Sequence, residues 1–376
     1  MLVITERRAD YSKFKPVLKE IKKSSKLEYF LIVTGSHLLK EHGFTINEIR
    51  NDGFKISSKF NMYSRRKPDS GSEMAKAIGK TIIHLSKLIE KVKPDIILAG
   101  FDIGANLAAA LVGAHMNMIV AHIEGGEVTG TIDESIRHAT SKFSHIHFTT
   151  NSEATKRLIK MGEDSRYVFT VGNPSLDSIK EIKPISKKIL EKEFGLNFRK
   201  PFVVILQHTV TTELDRIDKY FFETVRAIKE LDIQAIIIYG NADAGSKKLL
   251  QIIKKSNIKQ YNSLPFSKYI NLLKYASALV GNSSSGIMEA PFLHIPSINI
   301  GTRQKGRMAA MSVLNVGYNN REIKKAITKS INDKKFLKKI KKQKNLYGDG
   351  KASKRIVKIL EQINLKKIPI QKRLTY

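Results

Sequence analysis

The sequence predicts an α/β protein built from two doubly wound domains, each a parallel sheet covered by helices. Short apolar runs alternate along the chain with helix-length segments whose apolar residues share one face. The same alternation starts again after Lys200-Pro201, so the pattern occurs twice. The chain has 376 residues, more than one ordinary domain of about 100–200 residues, and its 41% apolar content excludes general disorder.

In the first half, strand-like runs and helices follow one another as a βα repeat requires. Strands are predicted at 2–5, 29–34, 95–99, 119–123 and 145–149, with helices at 14–23 and 73–92 and an Ala-rich helix before the strand at 119. The uncharged segment 103–123 has the length of a membrane span, ~20 residues, but it contains two asparagines and two histidines. We therefore predict a buried helix followed by a buried strand there, and no membrane partner.

The second half repeats the alternation. Strands are predicted at 202–206, 235–239, 278–281 and 298–300, with a helix at 219–230. Gly172-Asn-Pro174 and the Lys/Glu-rich segment behind it mark a boundary. The predicted domains are 1–175 and 176–354, followed by a C-terminal helix or tail, 355–376, that packs back toward the first domain. Two such domains facing each other would place the carboxyl ends of their strands around a central cleft, where open α/β sheets bind ligands.

Charge is the most unusual compositional feature, because 66 Lys and Arg against 35 Asp and Glu give a net charge of +31. This balance suggests nucleic acid, an anionic membrane or a polyanionic substrate as partner. From residue 321 onward there are 19 basic against 4 acidic residues, so nearly half of the excess lies in the C-terminal helical region. Such Lys-rich helix faces are usually solvated, and we predict no nucleic-acid partner.

Two features that the sequence lacks exclude certain kinds of site and indicate where the protein is found. The chain has no cysteine, which excludes disulfides, thiolate metal sites and a catalytic thiol. Its start has no signal-peptide pattern. We therefore expect a cytoplasmic protein.

The densest polar segment is HIEGGEVTGTIDESIRH, from His122 to His138, directly after a predicted strand. It carries four acids within eleven residues, and its glycines let the backbone turn sharply. The ordinary interpretation is a capped helix on a Gly-rich loop, with its acids and Arg paired on the surface. Convergent carboxylates at a strand end, together with a histidine, favour acid and base chemistry instead.

A second segment, Gly281-Asn-Ser-Ser-Ser-Gly-Ile-Met-Glu-Ala290, follows a predicted strand and is expected to run into a helix. Hydroxyls and backbone N–H groups at a helix N-terminus bind phosphate, and Glu289 one turn later suits the two hydroxyls of a ribose. The alternative is a Ser-capped helix. The segment lacks both the Gly-Lys-Ser/Thr ending of an ATPase P-loop and a GxGxxG pattern, which excludes ATPase and dinucleotide-binding functions.

Cationic residues follow several of the predicted strands. Each would usually be structural or a surface charge, but all share one topological position: Arg7, Arg8, His208, Arg303 and Arg307. Loops at the carboxyl ends of parallel strands meet at one edge of a sheet. The spacing therefore predicts a cationic cleft suited to a diphosphate.

These motifs, in this order, resemble the hydrolysing UDP-N-acetylglucosamine 2-epimerase family, whose members resemble glycosyltransferases of the two-Rossmann (GT-B) class. The resemblance covers nearly the whole chain, and the run from His122 to His138 is its most specific part. That run looks like the hydrolysing branch that feeds sialic-acid-type sugar synthesis. The other motifs are Arg8-Ala-Asp-Tyr-Ser, Gly35-Ser-His, His208-Thr-Val-Thr-Thr, Asn241-Ala-Asp-Ala-Gly-Ser, Leu264-Pro-Phe, Gly281-Asn-Ser-Ser, Gly301-Thr-Arg-Gln and Tyr347-Gly-Asp-Gly.

The resemblance implies a reaction and a set of residues. The reaction converts UDP-N-acetylglucosamine, or a close UDP-2-acetamido sugar, to UDP and a free N-acetylmannosamine-type sugar. Catalytic roles fall on Asp102, Glu124, Asp133, Arg137, His138 and His208. Contacts to the UDP-linked substrate fall on Arg8, Ala9, Asn241, Leu264, Ser283, Ser284, Glu289 and Arg303. We expect no cofactor and no metal, with Mg²⁺ on the diphosphate left open, and a homodimer or homotetramer.

One departure from the family pattern concerns the substrate. The family commonly has Gly-Asp-Arg after the strand that ends near Ala99, whereas this chain has Gly100-Phe-Asp-Ile, with one apparent extra residue and Ile103 in place of the Arg. Asp102 would keep the role of the acid, and the change suggests a different sugar. The open alternatives are a UDP-N,N'-diacetylbacillosamine 2-epimerase of the legionaminic-acid branch, a GT-B glycosyltransferase and, remotely, a nucleic-acid-binding protein.

Overall fold

A computed structural model describes residues 1–63, 70–239 and 245–375. The chain forms two compact units. The first unit comprises Met1–Glu127, Ile132–Ser178 and Tyr347–Tyr376, and the second comprises Val128–Thr131 and Ile179–Leu346. Part of the acidic segment, residues 128–131, thus belongs to the second unit.

The described residues of the first unit form a seven-stranded parallel sheet in the order β3-β2-β1-β4-β5-β6-β7. The strands are β1 (Leu2–Thr5), β2 (Phe30–Val33), β3 (Ser58–Lys59), β4 (Ile96–Gly100), β5 (Ile119–Ile123), β6 (Ile146–Thr149) and β7 (Val168–Thr170). β4 and β5 are buried along their whole length, as expected for central strands of a parallel sheet. The strand order reverses between β1 and β4, which is where such sheets bind ligands.

Helices connect these strands. They are α1 (Arg8–Ile21), α2 (Ile46–Asn51), α3 (Gly71–Val92), α4 (Gly104–His115), α5 (Ile132–Lys142), α6 (Ser152–Lys160) and α7 (Pro174–Glu181). α1 begins earlier than the apolar pattern predicts, because the Asp10 carboxylate in its first turn accepts from the N–H groups of Glu6 and Arg7, each at 2.8 Å. The uncharged segment 103–123 is α4 followed by β5, as predicted. No helix within residues 1–63, 70–239 and 245–375 is both long and apolar enough to cross a membrane.

The second unit has six described strands, all parallel, in the order β10-β9-β8-β11-β12-β13. They are β8 (Phe202–Leu206), β9 (Gln234–Ile238), β10 (Lys259–Tyr261), β11 (Ala278–Gly281), β12 (Ser297–Ile300) and β13 (Val313–Val316). Its helices are α8 (Lys187–Phe194), α9 (Ile217–Glu230), α10 (Ser246–Lys255), α11 (Phe266–Leu273), α12 (Glu289–Phe292), α13 (Asn320–Asn332) and α14 (Lys334–Ile340). An apolar core lies between its sheet and helices α9, α10 and α13.

The chain rejoins the first unit at Tyr347, whereas the sequence predicted the second domain to run to 354. Tyr347 is buried, and its carbonyl accepts a hydrogen bond of 2.7 Å from the N–H of Asn173. Asp177 then accepts from the N–H groups of Ala352 and Ser353, at 3.0 and 2.6 Å. These two residues open α15 (Ala352–Gln362), so Asp177 satisfies its N-terminus and fixes it within the first unit.

Candidate active site

The first candidate acid, Asp102, lies in a strained turn at the end of β4. Phe101 has φ +69°, a left-handed conformation that is uncommon for residues other than glycine. Its N–H donates to the carbonyl of Ile123 on β5 at 2.9 Å, which holds the turn in place. The Asp102 carboxylate then pairs with Arg137, whose side chain is fully buried, and lies 3.9 Å from the guanidinium of Arg7. The turn thus presents a carboxylate to a buried cation.

The residue before Asp102 bears the strain of this turn. Glycine adopts left-handed φ values without a steric cost, whereas Phe101 must be held there by its surroundings. Ile103 is buried and stands at the N-cap of α4, so the position directly after Asp102 carries an apolar side chain.

The second candidate acid, Glu124, follows β5 and has the same backbone conformation, with φ +68°. Its side chain is 1% exposed and pairs with Lys13 of α1. The Lys13 ammonium also lies 4.5 Å from the centre of the Phe101 ring. Sequence reasoning missed Lys13, although its place in the second turn of the helix after Arg8 was an available signal. Both acids therefore follow neighbouring strands, and each has its own cation.

Glu127, another acid of the segment, has a structural role. It is buried, and its carboxylate accepts hydrogen bonds from the side chains of Thr150 and Asn151. Its backbone carbonyl accepts from Arg137 at 3.2 Å. Glu127 thus ties the loop after β6 to the loop that carries Glu124.

Helix α5 carries three of the predicted catalytic residues. Asp133 lies in its first turn and Arg137 one turn later, a spacing that places them on one face. His138 is half-buried, and its Nε2 lies 3.8 Å from the carboxylate of Glu134. Burial lowers the pKa of His138, and the negative charge of Glu134 opposes that shift. The structure therefore joins Arg137 directly to Asp102, and it pairs His138 with Glu134.

Residues 128–131 are held in the second unit by two arginines. Arg307 donates from Nε to the carbonyl of Val128 at 2.8 Å, and the N–H of Gly130 donates to the carbonyl of Arg303 at 2.9 Å. A Cβ atom at Gly130 would collide with the carbonyl of Thr302. Glycine is therefore required for this close approach.

Asn282, which sequence reasoning did not single out, organises the candidate site of the second unit. Its side chain accepts from the N–H of His208 at 2.7 Å and donates to the carbonyl of the same residue at 2.9 Å. Its own carbonyl accepts from Arg303 at 3.3 Å and from Gln304 at 2.9 Å. Asn282 is 1% exposed. It thus holds the loops after β8, β11 and β12 together, and the only sequence signal was its place after Gly281.

The serine loop differs from the expected helix N-terminus. Ser284–Gly286 form a 3₁₀ turn with Ser283 as N-cap, and α12 has only four residues, beginning at Glu289. A helix this short has little dipole, so individual hydroxyl and N–H groups are the donors that this loop offers. Pro291 lies inside α12 and His294 has a left-handed φ of +58°, which ends the helical path. The loop can still offer hydroxyl and backbone N–H donors.

The other predicted substrate residues are divided between the two units. Arg8 begins α1, where its guanidinium lies 3.5 Å from Glu48, and Ala9 beside it is exposed. Leu264 and Glu289 are both 7% exposed and belong to the second unit. Asn241 lies outside the described residues.

A small, partly open pocket lies beside His208 in the second unit. Glu213 and Tyr318 line it and share a hydrogen bond of 2.6 Å, donated by the tyrosine hydroxyl. The Tyr318 ring stacks on Tyr220 with centroids 3.6 Å apart. His208 thus lies in the lining of this pocket.

Each unit presents its own set of polar groups at the ends of its strands. Within the part of the chain that the structure describes, no cluster of three or more His, Asp and Glu residues is arranged to hold a metal ion. The first unit offers two carboxylates beside cations, and the second offers hydroxyls, amides and arginines. Carboxylates at fixed positions suit acid and base steps, and the second set suits a diphosphate.

Comparisons with known proteins identify the family. A family model described as UDP-N-acetylglucosamine 2-epimerase matches residues 19–361. A UDP-N-acetylglucosamine 2-epimerase of Neisseria meningitidis serogroup B is 36% identical over 339 residues, covering 89% of this chain and 88% of the relative. A UDP-N,N'-diacetylbacillosamine 2-epimerase (hydrolyzing) of Legionella pneumophila is 33% identical, covering 97% of this chain and 96% of the relative.

A solved structure supports the fold. The crystal structure of UDP-GlcNAc 2-epimerase from Neisseria meningitidis bound to UDP-GlcNAc matches with a TM-score of 0.82 at 22% identity. The match covers 96% of this chain and 98% of the other. The prediction of two Rossmann-like doubly wound domains of the GT-B-like class is confirmed, and so is the family suggested by the motifs. The chain belongs to the UDP-N-acetylglucosamine 2-epimerase family.

Proposed function

We propose that this chain is a hydrolysing 2-epimerase that converts UDP-N-acetylglucosamine to UDP and free N-acetylmannosamine. The observation that carries the proposal is the pair Asp102 and Glu124. These carboxylates follow the adjacent strands β4 and β5, next to left-handed backbone, and each is paired with a basic side chain. A relative that covers 97% of the chain is described as hydrolysing, which supports the same branch.

The chemistry needs a base at C2 and a stabilised leaving group at C1. Breaking the C2–H bond and the C1–O bond to UDP gives a 2-acetamidoglucal. Water then adds its hydroxyl to C1 and a proton to the opposite face of C2, which inverts that centre. The C2 proton is weakly acidic, so the base must be positioned and the departing diphosphate must be bound by donors.

The roles follow from the two sets of groups. Glu124 and Asp102 serve as base and acid, and Asp133 on α5 assists. Lys13 fixes the position of the Glu124 carboxylate, and Arg137 fixes that of Asp102. His208, Arg303 and the hydroxyls of the serine loop hold the diphosphate, and Glu289 holds the ribose.

A second candidate substrate is UDP-N,N'-diacetylbacillosamine. The Legionella relative is described with that sugar, and Ile103 introduces an apolar side chain directly after Asp102. An apolar residue there favours a sugar with less polar substituents than N-acetylglucosamine. The two substrates share the same proposed chemistry at C1 and C2.

The test is turnover without an acceptor. Purified protein is incubated with UDP-N-acetylglucosamine, UDP-N,N'-diacetylbacillosamine and their GDP counterparts, and products are separated by anion-exchange chromatography. We expect UDP and the free 2-epimeric sugar in equal amounts. A UDP-linked epimer as the only product would indicate the non-hydrolysing reaction. No nucleotide release until an acceptor is added would indicate a glycosyltransferase.

A further inference from the structure

One buried histidine lies beside the Asp102 turn and has no role in the proposed reaction. His122, on β5, is 0% exposed. Its Nε2 lies 3.2 Å from the carbonyl oxygen of Phe101, and its Nδ1 lies 3.0 Å from the hydroxyl of Ser141. The ring therefore spans from the strained turn to helix α5.

The partners determine the tautomer of His122. A carbonyl oxygen can only accept, so Nε2 must carry the hydrogen, and Nδ1 then accepts from the Ser141 hydroxyl. Burial, with the nearby positive charges, lowers the pKa of His122 to about 3. The neutral ring is thus the form present at physiological pH, and both of its nitrogens have partners.

The contacts of His122 with Phe101 and Ser141 lie on either side of the Asp102–Arg137 ion pair. Phe101 directly precedes Asp102. Its backbone N–H donates to the carbonyl of Ile123, and its backbone carbonyl accepts from Nε2 of His122. Ser141 lies one helical turn after Arg137 on α5. One ring therefore links the backbone that carries the acid to the helix that carries its cation.

A residue at left-handed φ stays in place only when its surroundings over-determine it. Phe101 cannot rely on the freedom of glycine, so the turn needs the bond from His122 more than a Gly-Asp turn would. We propose that His122 is a positioning residue, which fixes the Phe101 peptide so that the Asp102 carboxylate meets Arg137 in the geometry that the reaction requires. This role rests on the proposed function.

Two variants of similar size separate the two contacts. In His122→Gln the side-chain amide reaches the place of Nε2 and can still donate to Phe101. In His122→Asn it reaches only the place of Nδ1, so it can meet Ser141 but not Phe101. Both lose the ring and its packing, so each is the folding control for the other, checked by thermal melting and far-UV circular dichroism.

We expect His122→Asn to lower kcat by about 100-fold, with KM changed by less than about threefold, because a misplacement near 1 Å costs this much. We expect His122→Gln to keep kcat within about fivefold of wild type, although the two variants melt at similar temperatures. Equal losses of kcat in both, or no loss in His122→Asn, would overturn the proposal. If His122→Asn does not fold, a 100-fold loss in a folded His122→Gln overturns it.

Wild-type protein assayed in parallel separates this proposal from the proposed function. If wild type turns over none of the UDP-sugars, the proposed function fails, and crystal structures of the two variants then carry the test. We expect the Phe101 peptide and the Asp102–Arg137 pair to move in His122→Asn and to stay in His122→Gln. An undisturbed pair in His122→Asn would overturn the positioning role.

Discussion

The two units place different chemistry at the ends of their strands. In the first unit, Asp102 and Glu124 are charged groups, each directly paired with a cation. In the second unit, Asn282 joins the backbones of its neighbours through a neutral amide, and Arg303 and Arg307 bond to carbonyl oxygens. Carboxyl groups in fixed positions are equipped to exchange protons, whereas donors around a loop are equipped to hold an anion. The comparison predicts that catalysis and nucleotide binding can be damaged separately.

The largest difference between loss of catalysis and loss of nucleotide binding is expected for Glu124→Gln. Loss of the base should lower kcat by at least about 10³-fold, since positioned acid and base groups contribute ~10²–10⁴-fold. The affinity for UDP, measured by calorimetry, should stay within about twofold. Glu153→Gln is the control, because this exposed acid of α6 pairs with Lys156 and has no assigned role. A kcat of Glu124→Gln near the wild-type value would contradict the assignment of catalysis to the carboxylates of the first unit.

A smaller effect on both functions is expected for His208→Ala. Losing one donor to a charged diphosphate costs about 1.5–3 kcal/mol, which is roughly 10- to 100-fold in UDP affinity. Turnover should fall as well, because the same donor stabilises the leaving group. Arg321→Ala, an exposed residue at the start of α13, is the control for loss of positive charge. If UDP binding is unchanged while kcat alone falls, His208 acts in catalysis, as the carboxylates of the first unit do. The assignment of His208 to diphosphate binding would then be wrong.

The smallest effect on activity is expected at the C-terminal tail, where Lys372 contacts the backbone of the last turn of α5, through Ser141 at 3.1 Å, and the side chain of Glu163. Lys372 donates to the buried carboxylate of Glu163 at 2.6 Å and to the carbonyl of Lys142 at 3.0 Å. Burial raises the pKa of Glu163, but hydrogen bonds and charges from His147 and Lys372 outweigh it and lower that pKa to about 2. Lys372→Met should therefore lower the free energy of unfolding by about 2 kcal/mol at pH 7, with kcat unchanged.

The pH dependence of that loss has a definite sign. A carboxyl group whose pKa is lowered in the folded state stabilises it above the unfolded pKa of about 4.3, and the contribution disappears as pH falls toward the folded value. Urea unfolding should give the same difference between wild type and Lys372→Met at pH 7 and 5, and a smaller one below about pH 4. Lys354→Met, on an exposed position of α15, is the control. A difference that grows as pH falls would contradict this.

Much of the fold could be predicted because the central strands are apolar runs. β4, β5, β8 and β11 were all expected at nearly their observed positions. The edge strands β3, β7, β10 and β13 were not, because each has only two to four residues and is partly exposed. An edge strand needs no continuous apolar run, so periodicity does not reveal it.

The candidate site was predictable where residues are adjacent in the chain and not where packing brings distant residues together. The acids at the ends of β4 and β5 stand out as polar residues directly after apolar runs. Lys13 is 111 positions away from Glu124, and Asn282 is 74 positions from His208, so only the fold reveals these pairs. The left-handed φ of Phe101 could not be predicted either, because such a conformation is usual for glycine and uncommon for phenylalanine.

The central claim is that the chain breaks the C2–H and C1–O bonds of a UDP-2-acetamido sugar and releases UDP. Proton NMR of purified protein with UDP-N-acetylglucosamine in D₂O tests it directly. We predict loss of the C2 proton signal, with deuterium at C2 of a free N-acetylmannosamine and one UDP released for each sugar. A product that stays linked to UDP, or a free sugar that retains its original C2 proton, would contradict it.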